Sequence, residues 1–195
     1  MKVHTIVLAA GSSSRMGQPK QLLKIGDEPL LVHTIKTVTA AGILSNEITV
    51  VIGSNYEQHR DIISPLNVNI EHNIDWANGM GNSLKYGLKK IVTQKPAGVL
   101  ILVCDQPLLT PEHIQKLVQQ FHLSPQSIVA SHYNNTDGVP AIFPFTLFEQ
   151  LLTIGEDQGA KKVLQQNRQN LISVDFPDGA IDLDTLEDYD KLINH

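Results

Sequence analysis

The most apolar stretch of the chain is GVLILVC, residues 98–104. It is too short for a typical helix and is rich in valine, isoleucine and leucine, which favours an extended strand. A strand with no polar side chain on either face must be covered on both faces, as the central strands of parallel sheets are. The stretch therefore predicts a buried central strand in a sheet that carries helices on both sides.

Strands and helices alternate along the rest of the chain. Apolar, β-branched runs predict further strands over residues 2–9, 47–52, 68–71, 127–131, 139–143 and 171–175. Helical spacing, with its start and stop signals, predicts helices over residues 30–41, 56–63, 82–92, 111–122, 144–152, 159–166 and 185–193. This alternation predicts an α/β fold with a mostly parallel sheet and right-handed crossovers. No repeat or linker divides the sequence, so we expect a single domain over residues 1–195.

Composition limits the classes to which the chain can belong. Of its 195 residues, 42% are hydrophobic and 18% are charged, with a net charge of −5, which is typical of a folded globular protein. No run of lysine or arginine forms a basic patch of the kind that binds nucleic acid, so we expect no nucleic-acid partner. The sequence shows no signal peptide and no apolar segment of membrane-spanning length, and its lone Cys104 excludes an internal disulfide. We therefore expect a cytoplasmic protein with no membrane partner.

A polar loop, rich in glycine and serine, follows the first predicted strand. Ala9, Ala10 and Gly11 are small enough for the backbone to approach a flat base or a phosphate, and consecutive N–H groups in such a turn can bind an anion. Arg15 adds a planar guanidinium that can bind two phosphate oxygens at once, and Lys20 adds a compact positive charge. Together they suit a triphosphate. The same composition also fits a solvated surface loop with two ordinary cations, and composition alone does not choose between them.

Asp105 directly follows the apolar stretch and is the strongest single candidate for a functional residue. A carboxylate at the end of a strand, facing a phosphate-binding loop, is a suitable Mg²⁺ ligand, because Mg²⁺ takes one or two carboxylates together with substrate phosphates. The alternative is a turn or capping aspartate before Pro107. A second acidic group contains Asp182, Asp184 and Asp188, for which capping of the last helix is the stronger alternative. Ligands of open α/β sheets bind at the carboxyl ends of strands, so we expect the first loop and Asp105 at one edge.

Several familiar sites are not supported. Gly11 and Gly17 do not have the spacing of a Walker A loop, and Leu84 stands where a dinucleotide-binding motif needs its third glycine. The eight histidines show no close pairing, which argues against zinc, and no G-x-S-x-G motif marks a serine hydrolase. Cys104 lies inside the buried strand and is best interpreted as an inert core thiol.

Five ordered segments resemble the motifs of the MobA-like nucleotidyltransferases, and the resemblance is strongest to the molybdenum cofactor cytidylyltransferases. They are LAAGSSSRMGQPKQLL (residues 8–23), NIDWANGMGNSLKYGL (73–88), VCDQPLLTPEHI (103–114), DGVPAIFP (137–144) and DLDTLEDYD (182–190). The resemblance covers nearly the whole chain. It implies a Rossmann-like three-layer α/β sandwich with a mostly parallel sheet, of the nucleotide-diphospho-sugar transferase type.

The resemblance also implies roles for individual residues. Catalysis would rest on Arg15, Lys20 and Asp105, and Mg²⁺ would be held by Asp105 and Asp184. The nucleotide would be bound by residues of the first loop and of the second motif, namely Leu8, Ala9, Ala10, Gly11, Ser12, Arg15, Lys20, Asn73, Gly79 and Ser83. The strand region 138–143 would face the acceptor.

Two details of the resemblance concern the substrates. Leu8-Ala9-Ala10-Gly11 and Asp105-Gln106-Pro107 are similar to the cytidylyl type, whereas guanylyl-transferring relatives typically carry LAGG. The implied reaction is attack by the terminal phosphate of a molybdopterin cofactor on the α-phosphorus of CTP, with release of pyrophosphate. Val139 stands where the family often has histidine, and Leu186 where it often has proline. The first departure lies beside the expected acceptor region.

Three other interpretations remain open at this stage. One is a nucleotidyltransferase of the same fold that uses GTP, another nucleoside triphosphate or a sugar-phosphate acceptor. Another is a non-catalytic nucleotide-binding factor that delivers a cofactor to a target molybdoenzyme. The third is a structural or interaction protein, against which the joint presence of Arg15, Lys20 and Asp105 argues.

Overall fold

The computed structural model describes residues 1–194. The strands are β1 (Val3–Ala9), β2 (Lys24–Ile25), β3 (Glu28–Pro29), β4 (Ile48–Ile52), β5 (Asn69–His72), β6 (Gly98–Val103), β7 (Ile128–Tyr133), β8 (Thr136–Pro144) and β9 (Leu171–Asp175). The α-helices are α1 (Leu30–Ala40), α2 (Tyr56–Ile63), α3 (Met80–Ile91), α4 (Pro111–Leu123), α5 (Phe148–Leu152), α6 (Lys161–Gln166) and α7 (Leu186–Ile193). Short 3₁₀ turns connect several of them.

Seven of the strands form one sheet in the order β5-β4-β1-β6-β8-β7-β9. Strands β5, β4, β1 and β6 are parallel to their neighbours in this order, whereas β8 runs antiparallel to both β6 and β7. Strand β9 is again parallel to β7. The predicted mostly parallel sheet is confirmed, and the apolar stretch over residues 98–104 lies at its centre.

Helices cover both faces of this sheet. One core contains the apolar side chains of α1, α2 and α4 packed on one face, and the other contains those of α3, α5 and α6 packed on the opposite face. Leu100 and Leu102 of β6 face the first core, while Val99 and Ile101 face the second, and all four are essentially inaccessible. The Rossmann-like three-layer sandwich is therefore confirmed. None of the helices described within residues 1–194 is long and apolar enough to cross a membrane.

The main differences from the predicted elements concern β8 and its surroundings. The predicted strand over residues 139–143 extends from Thr136 to Pro144, and the helix predicted from residue 144 begins only at Phe148. Asn134 and Asn135 both have positive φ and close a tight hairpin between β7 and β8, which fixes the antiparallel direction of β8. The two-residue strands β2 and β3 were not predicted from the sequence, and α3 begins two residues earlier than predicted.

Buried histidines, among them His4 and His113, link the stability of this fold to pH. His4 pairs with Thr49 Oγ1 at 2.9 Å, and His113 pairs with Ser131 Oγ at 2.7 Å and stacks on Phe176. Burial, and to a lesser degree a nearby lysine, lowers the pKa of each from 6.5 to about 4. Between these two values the unfolded chain binds protons that the folded chain does not, so stability falls as the pH falls.

We expect each histidine to remove about 2 kcal/mol from the free energy of unfolding between pH 7 and pH 5. Denaturant titrations at both pH values should show this decrease in the free energy of unfolding. His113→Gln should make the decrease smaller by about the amount that one histidine contributes. His122→Gln, at an exposed position, is the matched control and should leave the drop unchanged. A pH dependence in His113→Gln equal to that of the parent would contradict this assignment.

Candidate active site

A cavity of about 350 Å³ opens where the neighbouring parallel strands β1 and β6 end. Leu8 and Val103 are paired in the last register of the two strands, so the residues that follow them emerge side by side. The expected position of the first loop and Asp105 at one edge of the sheet is therefore confirmed. The cavity is lined by residues from the first loop, from the segment before and at the start of α3, and from the end of β6, namely Leu8, Ala9, Ala10, Gly11, Ser12, Lys20, Gln21, Trp76, Ala77, Gly79, Met80, Ser83, Val103, Cys104 and Asp105.

The backbone of the first loop is held in place by Gln21, a residue to which the sequence analysis gave no role. Its side chain is almost completely buried, and Nε2 donates to the carbonyls of Ala9 at 3.1 Å and Gly11 at 2.9 Å. Ser54 Oγ also donates to the carbonyl of Gly11, at 3.0 Å. These contacts turn the carbonyls toward protein donors, and nothing in the local sequence indicates this role for Gln21.

Ser13 connects the same loop to the lysine. It adopts a left-handed conformation (φ 54°), and its hydroxyl accepts from the backbone N–H of Lys20 at 3.0 Å and contacts Gln21 Oε1 at 3.3 Å. The loop is thus closed on itself by side chains of its own sequence. This organised backbone is what the close approach of a nucleotide requires.

The opposite wall of the cavity is formed around the start of α3. Gly79 has φ 116° and lies so close to the backbone of Glu156 and Asp157 that a side chain would not fit. Ser83 and Trp76 complete this wall, and no role for Trp76 was predicted from the sequence. Because a flat indole offers a stacking surface, Trp76 could pack against a base.

Asn73 does not line the cavity, although the resemblance implied a contact with nucleotide. Its side chain is buried, and Nδ2 donates to Asn82 Oδ1 at 2.9 Å and to Ser83 Oγ at 3.1 Å, while Oδ1 accepts from the backbone of Asp75. Both polar atoms of its side chain are therefore engaged by protein. The geometry supports a positioning residue that holds Ser83, and not the direct contact that the resemblance implied.

Two cations and two carboxylates lie together at the mouth of the cavity. Lys20 Nζ is 2.7 Å from Asp105 Oδ2 and 3.5 Å from Asp184 Oδ1, and Arg15 is 2.9 Å from Asp184 Oδ2. The Lys20 side chain is only 16% exposed, whereas that of Arg15 is 70% exposed. Burial lowers the pKa of Lys20, but the Asp105 carboxylate and, more weakly, Asp184 outweigh it, so the pKa lies above its ordinary value. Lys20 is therefore positively charged at neutral pH.

Asp184 does not cap the last helix. Thr185 is the N-cap of α7: its hydroxyl accepts from the backbone N–H of Asp188, and the Asp188 carboxylate accepts from the backbone N–H of Thr185 in return. The capping alternative thus applies to Thr185 and Asp188, and Asp184 is left to face Lys20 and Arg15.

The two remaining residues of the Cys-Asp-Gln motif do not contribute reactive groups to the cavity. Burial raises the pKa of the Cys104 thiol to about 12, in agreement with an inert core thiol. The Gln106 side chain is buried outside the cavity, where Nε2 donates to the carbonyls of Val139 and Gly179. Gln106 therefore cannot select a base by touching it, and its effect on specificity would be indirect.

The donor set at the mouth fits a divalent cation. Asp105 and Asp184 present hard carboxylate oxygens to the same point, now occupied by the Lys20 ammonium, and both side chains are partly exposed, at 21% and 37%. No cluster of three acidic, histidine or cysteine ligands is found within residues 1–194, so phosphate and water oxygens would have to complete the shell. This is the arrangement that Mg²⁺ and similar ions usually adopt with nucleotides.

Comparison with known proteins places this site in a family. The model of the MobA-like NTP transferase domain matches residues 5–171. Purine catabolism protein PucB of Bacillus subtilis is 28% identical over 96% of this chain and 94% of its own length. A probable molybdenum cofactor guanylyltransferase of Pyrococcus horikoshii is 27% identical over 69% of this chain and 65% of its own.

Solved structures agree with this result. The crystal structure of Rv0371c from Mycobacterium tuberculosis superimposes over the full length of both chains with a TM-score of 0.82 at 25% identity. The same protein has been solved in complex with manganese, with a TM-score of 0.80. The family match covers the residues that line the cavity. The chain therefore belongs to the MobA-like NTP transferase domains and is a nucleotidyltransferase of that family.

Proposed function

We propose that the protein transfers CMP from CTP to the terminal phosphate of a molybdopterin cofactor and releases pyrophosphate. The observation that carries the proposal is the meeting of Lys20, Arg15, Asp105 and Asp184 at the mouth of a cavity with an organised small-residue loop. The choice of CTP and of molybdopterin rests on the motif resemblance. We further propose the cytoplasm as the compartment, with which a single free, buried thiol is compatible.

The chain's own groups would act by binding and positioning. Lys20 and Arg15, whose charges are balanced by carboxylates in this structure, would exchange those partners for phosphate oxygens of CTP. The Arg15–Asp184 pair is largely exposed, and such pairs contribute only about 0–1 kcal/mol, so the exchange costs little. A phosphate monoester is already largely ionised near neutral pH, so the acceptor needs no protein base. Catalysis then follows from in-line positioning and charge neutralisation.

The proposed cofactor is Mg²⁺, held by Asp105 and Asp184. Support comes from the two carboxylates that meet at Lys20 and from the manganese complex of Rv0371c. When bound, the ion would supply Lewis-acid stabilisation of charge on the phosphates. Asp105, the less exposed of the two, would be the principal ligand.

Replacing Asp184 by asparagine tests its share in metal binding. Because Thr185 and Asp188 form the cap, Asp184→Asn should leave the melting temperature nearly unchanged. Loss of one carboxylate charge should raise the Mg²⁺ concentration needed for half-maximal rate by about fivefold or more. Asp182→Asn, two residues earlier, is the matched control with a smaller expected effect. An unaltered magnesium dependence in Asp184→Asn would leave Asp105 as the only protein ligand.

The preference for CTP is tested by direct competition. Because Gln106 does not line the cavity, discrimination would come from the loop backbone around Ala10 and the wall around Trp76. With both triphosphates present, we expect CMP transfer to exceed GMP transfer by at least about tenfold, a difference of about 1.4 kcal/mol. Similarity to the probable molybdenum cofactor guanylyltransferase of Pyrococcus horikoshii makes GTP the specific rival, and a preference for GTP would establish it. Binding of nucleotide without any turnover would instead favour a non-catalytic nucleotide-binding factor that delivers a cofactor to its partner, a target molybdoenzyme.

A further inference from the structure

A second cavity of about 150 Å³, called here the side cavity, opens beside the nucleotide cavity. The two cavities share the wall residues Leu8, Met80 and Val103. The other lining residues of the side cavity come from β6, β7 and β8 and from the segment that leads into α6: Ile101, Tyr133, Thr136, Asp137, Gly138, Val139, Gly159, Ala160 and Lys161. Because only three side chains separate them, a molecule bound in the side cavity would lie directly beside a nucleotide.

Most of this lining is apolar, and Asp137 is its acidic group. Its side chain is 26% exposed, and its position is set by the sheet, because Asp137 of β8 is paired in register with His132 of β7. Ser173 Oγ on β9 donates to Asp137 Oδ1 at 2.7 Å, and His132 Nδ1 lies 3.0 Å from the same oxygen. An ionised carboxylate only accepts hydrogen bonds, so His132 is the donor in this pair.

The two hydrogen bonds fall on the same oxygen and leave the other one available. Within residues 1–194 no protein donor reaches Asp137 Oδ2, and no ion pair connects Asp137 with Lys161 across the cavity. A carboxylate oxygen with free lone pairs can accept two converging N–H groups. Burying such an oxygen against a ligand without donors would be unfavourable, so the site selects for a ligand that carries them.

We infer that the side cavity is the acceptor subsite and that Asp137 recognises a ring edge with an amino group next to a ring N–H. This inference rests on the proposed function, because a pterin, the ring system of the proposed acceptor, carries such a 2-amino-4-oxo edge. The apolar lining from Leu8, Ile101 and Val139 suits the faces of a flat ring. Asp137 is then a specificity-determining residue, and His132 and Ser173 are the residues that position it.

Binding of free ring compounds to the full-length protein tests this inference without any turnover. Calorimetric titration with pterin should give an affinity at least about tenfold higher than titration with lumazine, in which a carbonyl replaces the 2-amino group. In Asp137→Asn the ratio should fall to about one or below, because an amide can donate to that carbonyl. Asp27→Asn, an exposed position outside both cavities, is the matched control and should keep the preference. Ser173→Ala, which frees the carboxylate to rotate, should weaken the preference without abolishing it.

Guanosine carries the same donor edge and serves as the third probe. Tighter binding of guanosine than of pterin, lost in Asp137→Asn, would assign the side cavity to a nucleoside base and overturn the acceptor assignment. Equal binding of pterin and lumazine to the parent, no binding of pterin at millimolar concentration, or an unchanged preference in Asp137→Asn would also overturn it. If the preference is present and depends on Asp137 but no CMP transfer to molybdopterin occurs, the proposed function fails while the subsite stands.

Discussion

Asp105→Asn is expected to lower kcat by about 100-fold or more while the protein remains folded. The substitution keeps the size of the side chain and removes the charge that lies 2.7 Å from Lys20 Nζ and that would hold the divalent ion. Loss of a main electrostatic group in an active site typically has an effect of this order. The backbone carbonyl of Asp105 accepts from Leu183 N–H at 2.9 Å, and the substitution preserves that contact.

The measurement is the steady-state rate at saturating CTP, acceptor and Mg²⁺, together with a melting curve. We expect only a small change in melting temperature, because Lys20 retains Asp184 at 3.5 Å. Asp182→Asn, an acidic neighbour that does not pair with Lys20 or Arg15, is the control. A folded Asp105→Asn variant with near-normal kcat would remove Asp105 from the catalytic machinery.

Lys20→Met is expected to lower kcat/KM for CTP by about 100-fold. Methionine retains most of the apolar length of the lysine stem but has no charge for a phosphate. The side chain is largely buried between Asp105 and Asp184, so its loss also leaves two carboxylates facing each other and opposes the approach of a triphosphate. We therefore expect KM for CTP to rise and kcat to fall together.

Lys24→Met is the matched control for this substitution. Lys24 lies four residues further along the chain, is exposed and does not line the nucleotide cavity. It should retain the kinetic constants of the parent. If Lys20→Met and Lys24→Met bind CTP equally well in a direct titration, the first loop is not the triphosphate site.

Much of the fold follows from local sequence. The apolar runs that form β1, β4 and β6 can only be buried in a covered sheet, so their position and the α/β alternation could be predicted. The placement of β8 between β6 and β7 could not, because it depends on the tight turn at Asn134 and Asn135 and on pairing partners far away in the chain. Strand direction is a property of the connection and not of the strand's own residues.

The residues of the site also divide into those that could be predicted from the sequence and those that could not. Lys20 and Asp105 could be placed together by a strand-end argument, because β1 and β6 are parallel neighbours. Asp184 was noted as part of an acidic group, but only the resemblance singled it out as a ligand, since nothing local indicates that a residue before the last helix returns to the first loop. Gln21 and Trp76 had no signal of their own because their roles come from tertiary contacts, with the carbonyls of Ala9 and Gly11 and with the cavity wall.

The most direct test of the proposed function is mass spectrometry of the product after incubation with CTP, Mg²⁺ and purified molybdopterin cofactor. We expect a cofactor heavier by one cytidylyl group (CMP less one water) and an equal amount of pyrophosphate, both absent when Asp105→Asn replaces the parent at the same concentration. Release of pyrophosphate only with GTP, a CMP adduct on a sugar phosphate but not on the cofactor, or no adduct with any triphosphate would contradict it.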